Sequence, residues 1–392
     1  MPLFEASEMA DVGSQGRRKG SRWPLVFLIV LVAIPVALAV VLYRLDSFEA
    51  AALPIHEFSG PTTTAAARNG HTLRGAERVG EGALLAPEDL AYDSKSGVIY
   101  TGCDDGWVKR VRLSDSVVEN WVNTGGRPLG IVLDHNNDQV LVADTEKGLL
   151  SISREEGVVK LLTEEAEGVK FMLTDGVDVA EDGIIYFTDA SHKYSLDDFM
   201  WDILEANPNG RLLSYDPRTN LTKVLLHDLY FANGVSLSPD QTCLIFCETL
   251  MRRCRKYHIK GERKGSVEPF IDFLPGMPDN IRYDGEGLYW IGLSTEATQS
   301  WDLALRYPFI RKLVALLEKY NWRPKMEKNG GALGVDLEGK LVSHYHDPGL
   351  SLISSGLKIG NHLYLGSIAY PYIIRLNLLK YPAQPPTTTT TT

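Results

Sequence analysis

Acidic, amide and hydroxyl side chains stand at matching positions of several short apolar segments. They are Glu88, Thr174 with Asp175, Asn233, Asp279 with Asn280, and Ser355. Taken singly, such residues are usually turn or capping residues. Their recurrence at one register predicts a shared polar site. Carboxylate and amide oxygens that converge are hard ligands, of which Ca²⁺ takes six to eight.

The segments that carry these residues recur six times. They are PEDLAYD at Pro87, PLGIVLD at Pro128, TDGVDVA at Thr174, ANGVSLS at Ala232, PDNIRYD at Pro278 and ISSGLKI at Ile353. Each is followed by a turn and a second apolar strand, such as GVIYTG or QVLVAD. Repeats of this kind predict an all-β, six-bladed β-propeller over residues 73–380, with its first strands around a central channel. The segment GAERVG at Gly75 would supply the fourth strand of blade six and close the ring.

Two inserts interrupt blades three and five, each between the second and third strands. Residues 194–206 and 300–320 place apolar residues near helical spacing, so both inserts are predicted to contain short helices. Such helices could cover the mouth of the channel, lie on a membrane, or only decorate the ring.

The charge balance limits the classes of partner. The chain of 392 residues has a formal net charge of −10, which argues against a nucleic-acid partner. The same negative charge suits a divalent cation, and it also serves solubility.

The N-terminal region predicts membrane attachment. Residues 24–43 are twenty apolar residues without a charge, preceded by RRKGSR, which is typical of a single-pass transmembrane signal anchor. The cationic side then marks residues 1–23 as a cytoplasmic tail, followed by a stalk at 44–72. The propeller would be lumenal or extracellular, in a type II protein of the endoplasmic reticulum, vacuole or cell surface. Residues 381–392, which end in threonines, form a low-complexity tail predicted to be disordered.

Two features agree with a lumenal propeller. Asn220 begins an N-x-T glycosylation sequon in a turn between strands. Cys247 and Cys254 flank a hairpin turn and could pair in an oxidising compartment, or they could remain free buried thiols.

Longer strings resemble a known family. FANGVSLSPD, VADTEKGLL, IYFTDAS, LPGMPDNIRYDGEGLYWIGLST, and HDP followed by LYLGS are similar to the strictosidine synthase-like proteins over about residues 70–378. That family is related to six-bladed, calcium-dependent esterases and lactonases such as the paraoxonases and gluconolactonases.

The resemblance implies roles for individual residues. It implies Ca²⁺ ligation by Glu88, Asn233 and the Asp279–Asn280 pair, with Asp279 also the candidate general base or nucleophile. The esterases often carry Asn where this chain has Thr174, and a hydroxyl is a weaker ligand. Thr174, Asp175 and Ser355 are therefore assigned to substrate contacts.

The synthase branch of the family implies a different reaction. Its amine–aldehyde condensation uses a glutamate at the position of Ser355, and a hydroxyl has the wrong pKa for that work. His192 is a second catalytic candidate, whereas His344 and His346 share one strand face and are interpreted as structural.

The sequence thus predicts a calcium-dependent hydrolase of small-molecule esters or lactones. The alternatives are a non-catalytic binding propeller and a condensing enzyme.

Overall fold

The chain divides into two compact units, residues 1–47 and 48–392, which are described separately. The computed structural model describes residues 27–58, 60–136, 138–322 and 328–385. In the first unit, a π-helical turn, Ile29–Ala33, leads into helix α1, Ile34–Leu45. Helix α1 has 12 residues, or about 18 Å of length. Throughout the described ranges, no helix combines the length and the apolar character needed to cross a membrane.

The anchor predicted at 24–43 is therefore not confirmed. Its first residues, and the predicted tails at 1–23 and from 386 onward, lie outside the described residues.

The second unit is the predicted six-bladed propeller, and each of blades one to four is an antiparallel sheet whose four strands are paired in sequence order. Blades one and two consist of Leu90–Asp93, Val98–Gly102, Trp107–Arg112 and Val118–Asn123, then Pro128–Leu133, Gln139–Asp144, Gly148–Ser153 and Val159–Thr163. Blades three and four consist of Thr174–Val179, Ile185–Asp189, Gly210–Asp216 and Leu221–Leu229, then Ala232–Leu237, Cys243–Glu248, Arg253–His258 and Val267–Ile271. Blades five and six contain Gly276–Tyr283, Leu288–Glu296, Gly331–Asp336 and Leu341–His346, then Ile353–Ile359, His362–Ser367 and Ile373–Asn377.

The ring closes as predicted. Strand Glu77–Val79 pairs antiparallel with Ile373–Asn377 and completes blade six. Before it, Ala67–Asn69 pairs parallel with Leu341–His346, so that blade five has a fifth strand. Residues 44–72 were expected to be a stalk, but they also contain a 3₁₀ turn, Ile55–Phe58, and the buried residues Leu53 and Ala65. A small hairpin, Glu165–Ala166 with Val169–Lys170, follows blade two.

Both inserts are helical, as predicted. Helix α2, Phe199–Glu205, lies in blade three and ends at Ala206, which adopts the left-handed conformation. Helices α3, Gln299–Arg306, and α4, Pro308–Lys319, lie in blade five. The Thr298 hydroxyl caps α3 by accepting a hydrogen bond from the Trp301 N–H (3.3 Å), and Pro308 occupies the first turn of α4, where its missing N–H costs nothing.

Glycines let the first strands approach one another around the axis. A Cβ on Gly176 would lie 2.9 Å from the Asn233 carbonyl oxygen, and one on Gly234 would lie 2.4 Å from the Ile281 nitrogen. Only a residue without a side chain fits such backbone contacts. The D-G and N-G pairs therefore bring Asp175 and Asn233 toward the blades beside them.

Candidate metal centre and cavity

Three carboxylates from three blades meet in the channel. Glu88 comes from blade one, Asp175 from blade three and Asp279 from blade five, and one oxygen of each lies within 4.8 Å of the others. Two oxygens bound at about 2.4 Å to a common Ca²⁺ are at most ~4.8 Å apart, so this spacing fits that ion. All three side chains are buried.

Amide side chains extend the cluster. The Asn280 amide donates to Glu88 Oε1 (2.5 Å), and the Asn233 side chain hydrogen-bonds to Asp279. Asn233 and the three carboxylates line one cavity. Asn280 instead supports Glu88 from the side.

Hydroxyl groups fix the backbone that carries these side chains. The hydroxyls of Ser354 and Ser355 both donate to the Glu88 carbonyl oxygen (2.7 Å each). Thr188 of blade three donates to the Asn233 carbonyl oxygen (2.6 Å), and Thr249 donates to that of Pro278 (2.7 Å). Each hydroxyl therefore holds the first strand of the blade that follows it around the ring.

Several oxygens at the centre lack a donor. Glu88 Oε2, Asp175 Oδ1 and Asn233 Oδ1 are buried and have no hydrogen-bond partner among the described residues. Buried acceptors normally have partners, since leaving one unpaired costs about 1–3 kcal/mol. Three orphan oxygens of the hard-ligand type, close together, fit a cation better than they fit a structural role.

Burial and mutual repulsion raise the pKa values of all three carboxyl groups well above their usual range. For Glu88, desolvation is the main cause and the charge of Asp175 adds to it. For Asp175, desolvation is again the main cause of the raised pKa, and the charge of Asp279 adds to it. For Asp279, desolvation is the main cause and the charge of Glu88 adds to it. Without a cation the cluster therefore retains protons at pH values where exposed carboxylates have lost theirs.

The raised pKa values predict how the stability of the metal-free protein depends on pH. A carboxyl group with a raised folded-state pKa favours folding at low pH, and that contribution is lost as pH rises above about 4. We expect Asp175→Asn to flatten the fall in melting temperature between pH 5 and pH 8 in the presence of a chelator. Thermal denaturation of both proteins across that range measures the effect.

Asp93→Asn is the matched control. The pKa of Asp93 is lowered by hydrogen bonds from Ser96, Lys95 and Arg154, although burial opposes the shift, so its contribution is lost only under more acidic conditions. The prediction would be contradicted if the melting temperatures of the wild type and of Asp175→Asn fell in parallel between pH 5 and pH 8. Buried His344, whose pKa burial lowers to about 3, is common to all three proteins and cancels in the comparison.

The carboxylates form the floor of a cavity of about 280 Å³. Its walls include Leu129, Leu173 and Phe231, and its roof is made by helices α2, α3 and α4. The roof helices share an apolar cluster with Leu53, and Phe48 packs against Trp201 with ring centroids 5.6 Å apart. Residues 48–53, which were expected to belong to a stalk, therefore pack against the roof helices.

Arg311 of α4 ties the roof together and is completely buried. Its guanidinium donates to the carbonyl oxygens of Ala304 (3.0 Å), Leu204 and Glu205 (3.1 Å each), and also to that of Ala51. These acceptors include carbonyls near the C-terminal ends of α2 and α3, where helices leave C=O groups unpaired and favour a cation. Burial lowers the pKa of Arg311 to about 10, which leaves it charged at neutral pH.

Other predicted site residues lie elsewhere. His192 is exposed, its Nδ1 lies 2.7 Å from the Asn209 carbonyl oxygen, and it is not among the described residues that line the cavity. Thr174 is buried and its hydroxyl has no hydrogen-bond partner among the described residues, but its neighbour Asp175 is the one that lines the cavity. Ser355 supports the Glu88 backbone and is not among the lining residues. His344 and His346 stack in the fourth strand of blade five, with ring centroids 4.3 Å apart.

Two features lie outside the channel. Cys247 and Cys254 form a disulfide across neighbouring strands of blade four. Asn220 is exposed in a turn, where its Oδ1 accepts a hydrogen bond from the Tyr215 hydroxyl (2.8 Å), and its glycosylation stays a prediction.

Sequence comparisons connect the chain to one group of proteins. A family model described as strictosidine synthase matches residues 175–262, and one described as strictosidine synthase-like, N-terminal, matches residues 67–111. The protein strictosidine synthase-like 4 of Arabidopsis thaliana is 54% identical over 363 residues, which cover 91% of this chain and 97% of the relative. The adipocyte plasma membrane-associated protein of Gallus gallus is 32% identical and covers 96% of this chain and 97% of its own.

Solved structures share the fold at low sequence identity. A gluconolactonase of Xanthomonas campestris superposes with a TM-score of 0.56 at 17% identity, over 81% of this chain and 97% of its own. A calcium-binding protein, regucalcin, of Agrobacterium tumefaciens gives 0.54 at 14% identity, over 80% and 95%. Identities this low establish the common propeller and leave the activity open.

Proposed function

This chain belongs to the strictosidine synthase-like family, and from that membership and the carboxylate floor of its channel we propose that it is a Ca²⁺-dependent hydrolase of carboxylic esters or lactones. The observation that carries the proposal is the set of unpaired oxygens on Glu88, Asp175 and Asn233 beside Asp279. A protein gains nothing in stability from such a set, so its presence favours a bound cation.

Glu88, Asp175, Asn233 and Asp279 would hold the ion, and Ca²⁺ so bound would polarise a carbonyl group and stabilise an oxyanion. Asp279 faces the cavity and is oriented by the Asn233 side chain. This position at the cavity surface would let the Asp279 carboxylate accept a proton from attacking water. The apolar roof limits the access of further water to the reacting group.

The synthase reaction receives no support from the site. Ser355 occupies the position where the condensation uses a glutamate, and its hydroxyl is engaged by the Glu88 backbone. Membrane attachment through residues 24–43 and a lumenal propeller remain part of our proposal, and the Cys247–Cys254 disulfide supports an oxidising compartment.

Calorimetry and turnover on the full-length protein test the proposal. We expect stoichiometric Ca²⁺ binding, and hydrolysis of phenyl acetate or δ-valerolactone that disappears with EGTA and returns when Ca²⁺ is restored. Ca²⁺ binding without turnover would favour a non-catalytic propeller. The absence of both would overturn the proposal.

A further inference from the structure

Three titratable side chains are linked by hydrogen bonds in blade four, outside the channel. Cys243 begins the second strand, His258 ends the third strand directly opposite it, and Glu268 lies in the fourth strand. The Cys243 sulfur lies 3.3 Å from His258 Nδ1, and His258 Nε2 lies 3.1 Å from Glu268 Oε1. A nucleophile, a base and an acid that orients the base are thus connected in sequence.

The Glu268 carboxylate fixes the direction of these hydrogen bonds. It is paired with Arg263 and lies 3.9 Å from Lys256 Nζ, and the hydrogen bond from Arg263 is the main cause that holds the pKa of Glu268 below its usual value. An ionised carboxylate can only accept, so His258 Nε2 carries a proton. In neutral His258, Nδ1 is then the acceptor and the Cys243 thiol donates to it. This tautomer can take the proton from the thiol.

The thiol is remote from the floor of the channel. Ala232, which precedes Asn233 of the floor, pairs with Glu248 at the end of the second strand. Cys243 begins that strand five residues earlier, which corresponds to ~17 Å in an extended strand. The chemistry of this thiol is therefore independent of the carboxylate cluster and of the proposed hydrolase activity.

The surroundings of Cys243 suit a thiol that reacts with small reagents. Cys243 is 6% exposed, and the neighbouring side chains of His258 and Glu268 are 12% and 29% exposed. The Thr242 hydroxyl oxygen also lies 3.3 Å from the sulfur. Reactive cysteines are typical of partly exposed, electropositive positions. The hairpin that joins the third and fourth strands, residues 259–266, has three basic residues and one acid, namely Lys260, Arg263, Lys264 and Glu262.

We propose that Cys243, His258 and Glu268 form a thiol site at which small electrophiles modify Cys243, with hydrogen peroxide as the oxidant. His258 Nδ1 takes the thiol proton, and the sulfur attacks one oxygen of the peroxide. The O–O bond breaks, and the departing hydroxide takes the proton from His258 and leaves as water. The product is the sulfenic acid of Cys243, so sulfur is oxidised by two electrons and the peroxide is reduced by two.

The chain contains a reference thiol for this site. Of its four cysteines, Cys247 and Cys254 form the disulfide, and Cys103 and Cys243 are the free thiols. Cys103 is completely buried, and desolvation raises the pKa of its thiol to about 11. Because the thiolate is the nucleophile, Cys103 is expected to react slowly in the folded protein.

Alkylation of the folded full-length protein by iodoacetamide, followed by mass spectrometry of each cysteine, tests the site. At pH 7 we expect Cys243 to react at least ~10-fold faster than Cys103. Hydrogen peroxide followed by dimedone should label Cys243 and leave Cys103 unlabelled. His258→Gln should slow the alkylation of Cys243 at pH 7 by ~10-fold or more, because glutamine cannot take the proton. At pH 10 a thiol needs no base, so the two proteins should react at similar rates.

His227→Gln is the matched control. His227 also lies near a glutamate (3.6 Å from Nε2 to Glu167 Oε2), but it is exposed in blade three, so the alkylation of Cys243 should be unchanged. Equal alkylation of Cys243 and Cys103 in the wild type, or no dimedone label on Cys243, would overturn the inference without any variant. The inference would also fail if His258→Gln left the rate at pH 7 unchanged, or lowered it equally at pH 7 and pH 10, since His258 would then act only through packing.

Discussion

Replacing Glu88 with glutamine is expected to weaken Ca²⁺ binding by at least ~100-fold and to abolish ester hydrolysis, while making the metal-free protein more stable by about 1–3 kcal/mol. Glutamine keeps the acceptor for the Asn280 amide and removes one of three charges that repel one another. Its new N–H₂ group can donate to the neighbouring carboxylates. Calcium calorimetry, phenyl acetate turnover and chemical denaturation in EGTA measure the three effects.

Glu88→Gln is expected to weaken Ca²⁺ binding but to stabilise the metal-free protein. This combination distinguishes a metal ligand from a buried acid with a structural role. Asp189 is equally buried, but it accepts hydrogen bonds from the Leu173 N–H (3.0 Å) and from Arg211 Nη2 (2.6 Å). Asp189→Asn should therefore lower stability by about 3 kcal/mol or more, because it leaves Arg211 buried without its counter-ion. A Glu88→Gln protein that was less stable without metal, or that bound Ca²⁺ like the wild type, would contradict the assignment of the floor.

Replacing Arg311 with methionine is expected to cost about 3 kcal/mol or more and to release the roof before the propeller unfolds. The substitution removes the guanidinium donor from the carbonyl oxygens of Ala51, Ala304 and Leu204, and it leaves that of Glu205 with only the Ala51 N–H (2.8 Å). Hydrogen exchange should increase in residues 48–53 and in helix α2, while the strands of the ring keep their protection. Arg311→Lys should restore little of this loss, because one ammonium group cannot reach acceptors on three segments.

Lys312→Met is the control for that experiment. Lys312 is the next residue of α4 and is also buried, but its ion pair is made with Glu49, whose side chain is largely exposed. We expect a loss of under about 1 kcal/mol, since such pairs contribute little. If hydrogen exchange increased equally in Arg311→Met and Lys312→Met, α4 would be held by its apolar contacts rather than by the Arg311 guanidinium.

The propeller was predictable because its signal is repeated. Each blade carries an alternating apolar pattern, and six copies compensate for the weakness of any single one. Repetition also made the polar residues of the first strands predictable, because they interrupt an apolar pattern at the same position in several repeats. Closure by Glu77–Val79 followed from the strand missing in blade six.

The repeat pattern did not determine which residue of each first strand faces the channel. Local backbone geometry determines it. The pairing of blade three shifts register between Thr174 and Val177, and blades four and five shift at the corresponding places. A bulge of this kind determines which of two neighbouring side chains faces the channel, and here it is Asp175 rather than Thr174. Alternation alone cannot locate such a bulge.

The sequence predicted the helices of the roof but not the contacts that hold them together. Apolar spacing located both helical inserts, but nothing in the sequence distinguishes Arg311 from an exposed basic residue of an amphipathic helix. Its burial depends on carbonyl groups contributed by segments more than 100 residues away in the chain. Ala67–Asn69 escaped prediction because a three-residue polar strand carries no periodic signal.

The hydrogen bonds to Glu88 make the floor of the channel a product of the final stage of chain synthesis. Glu88 is among the first propeller residues to leave the ribosome, yet Asn280 follows it by 192 residues, and Ser354 and Ser355 by 266 and 267. Translation must therefore be nearly complete before these partners exist together. A cation bound at the floor would add its stabilisation only to finished rings, whereas prematurely terminated chains would gain nothing from it.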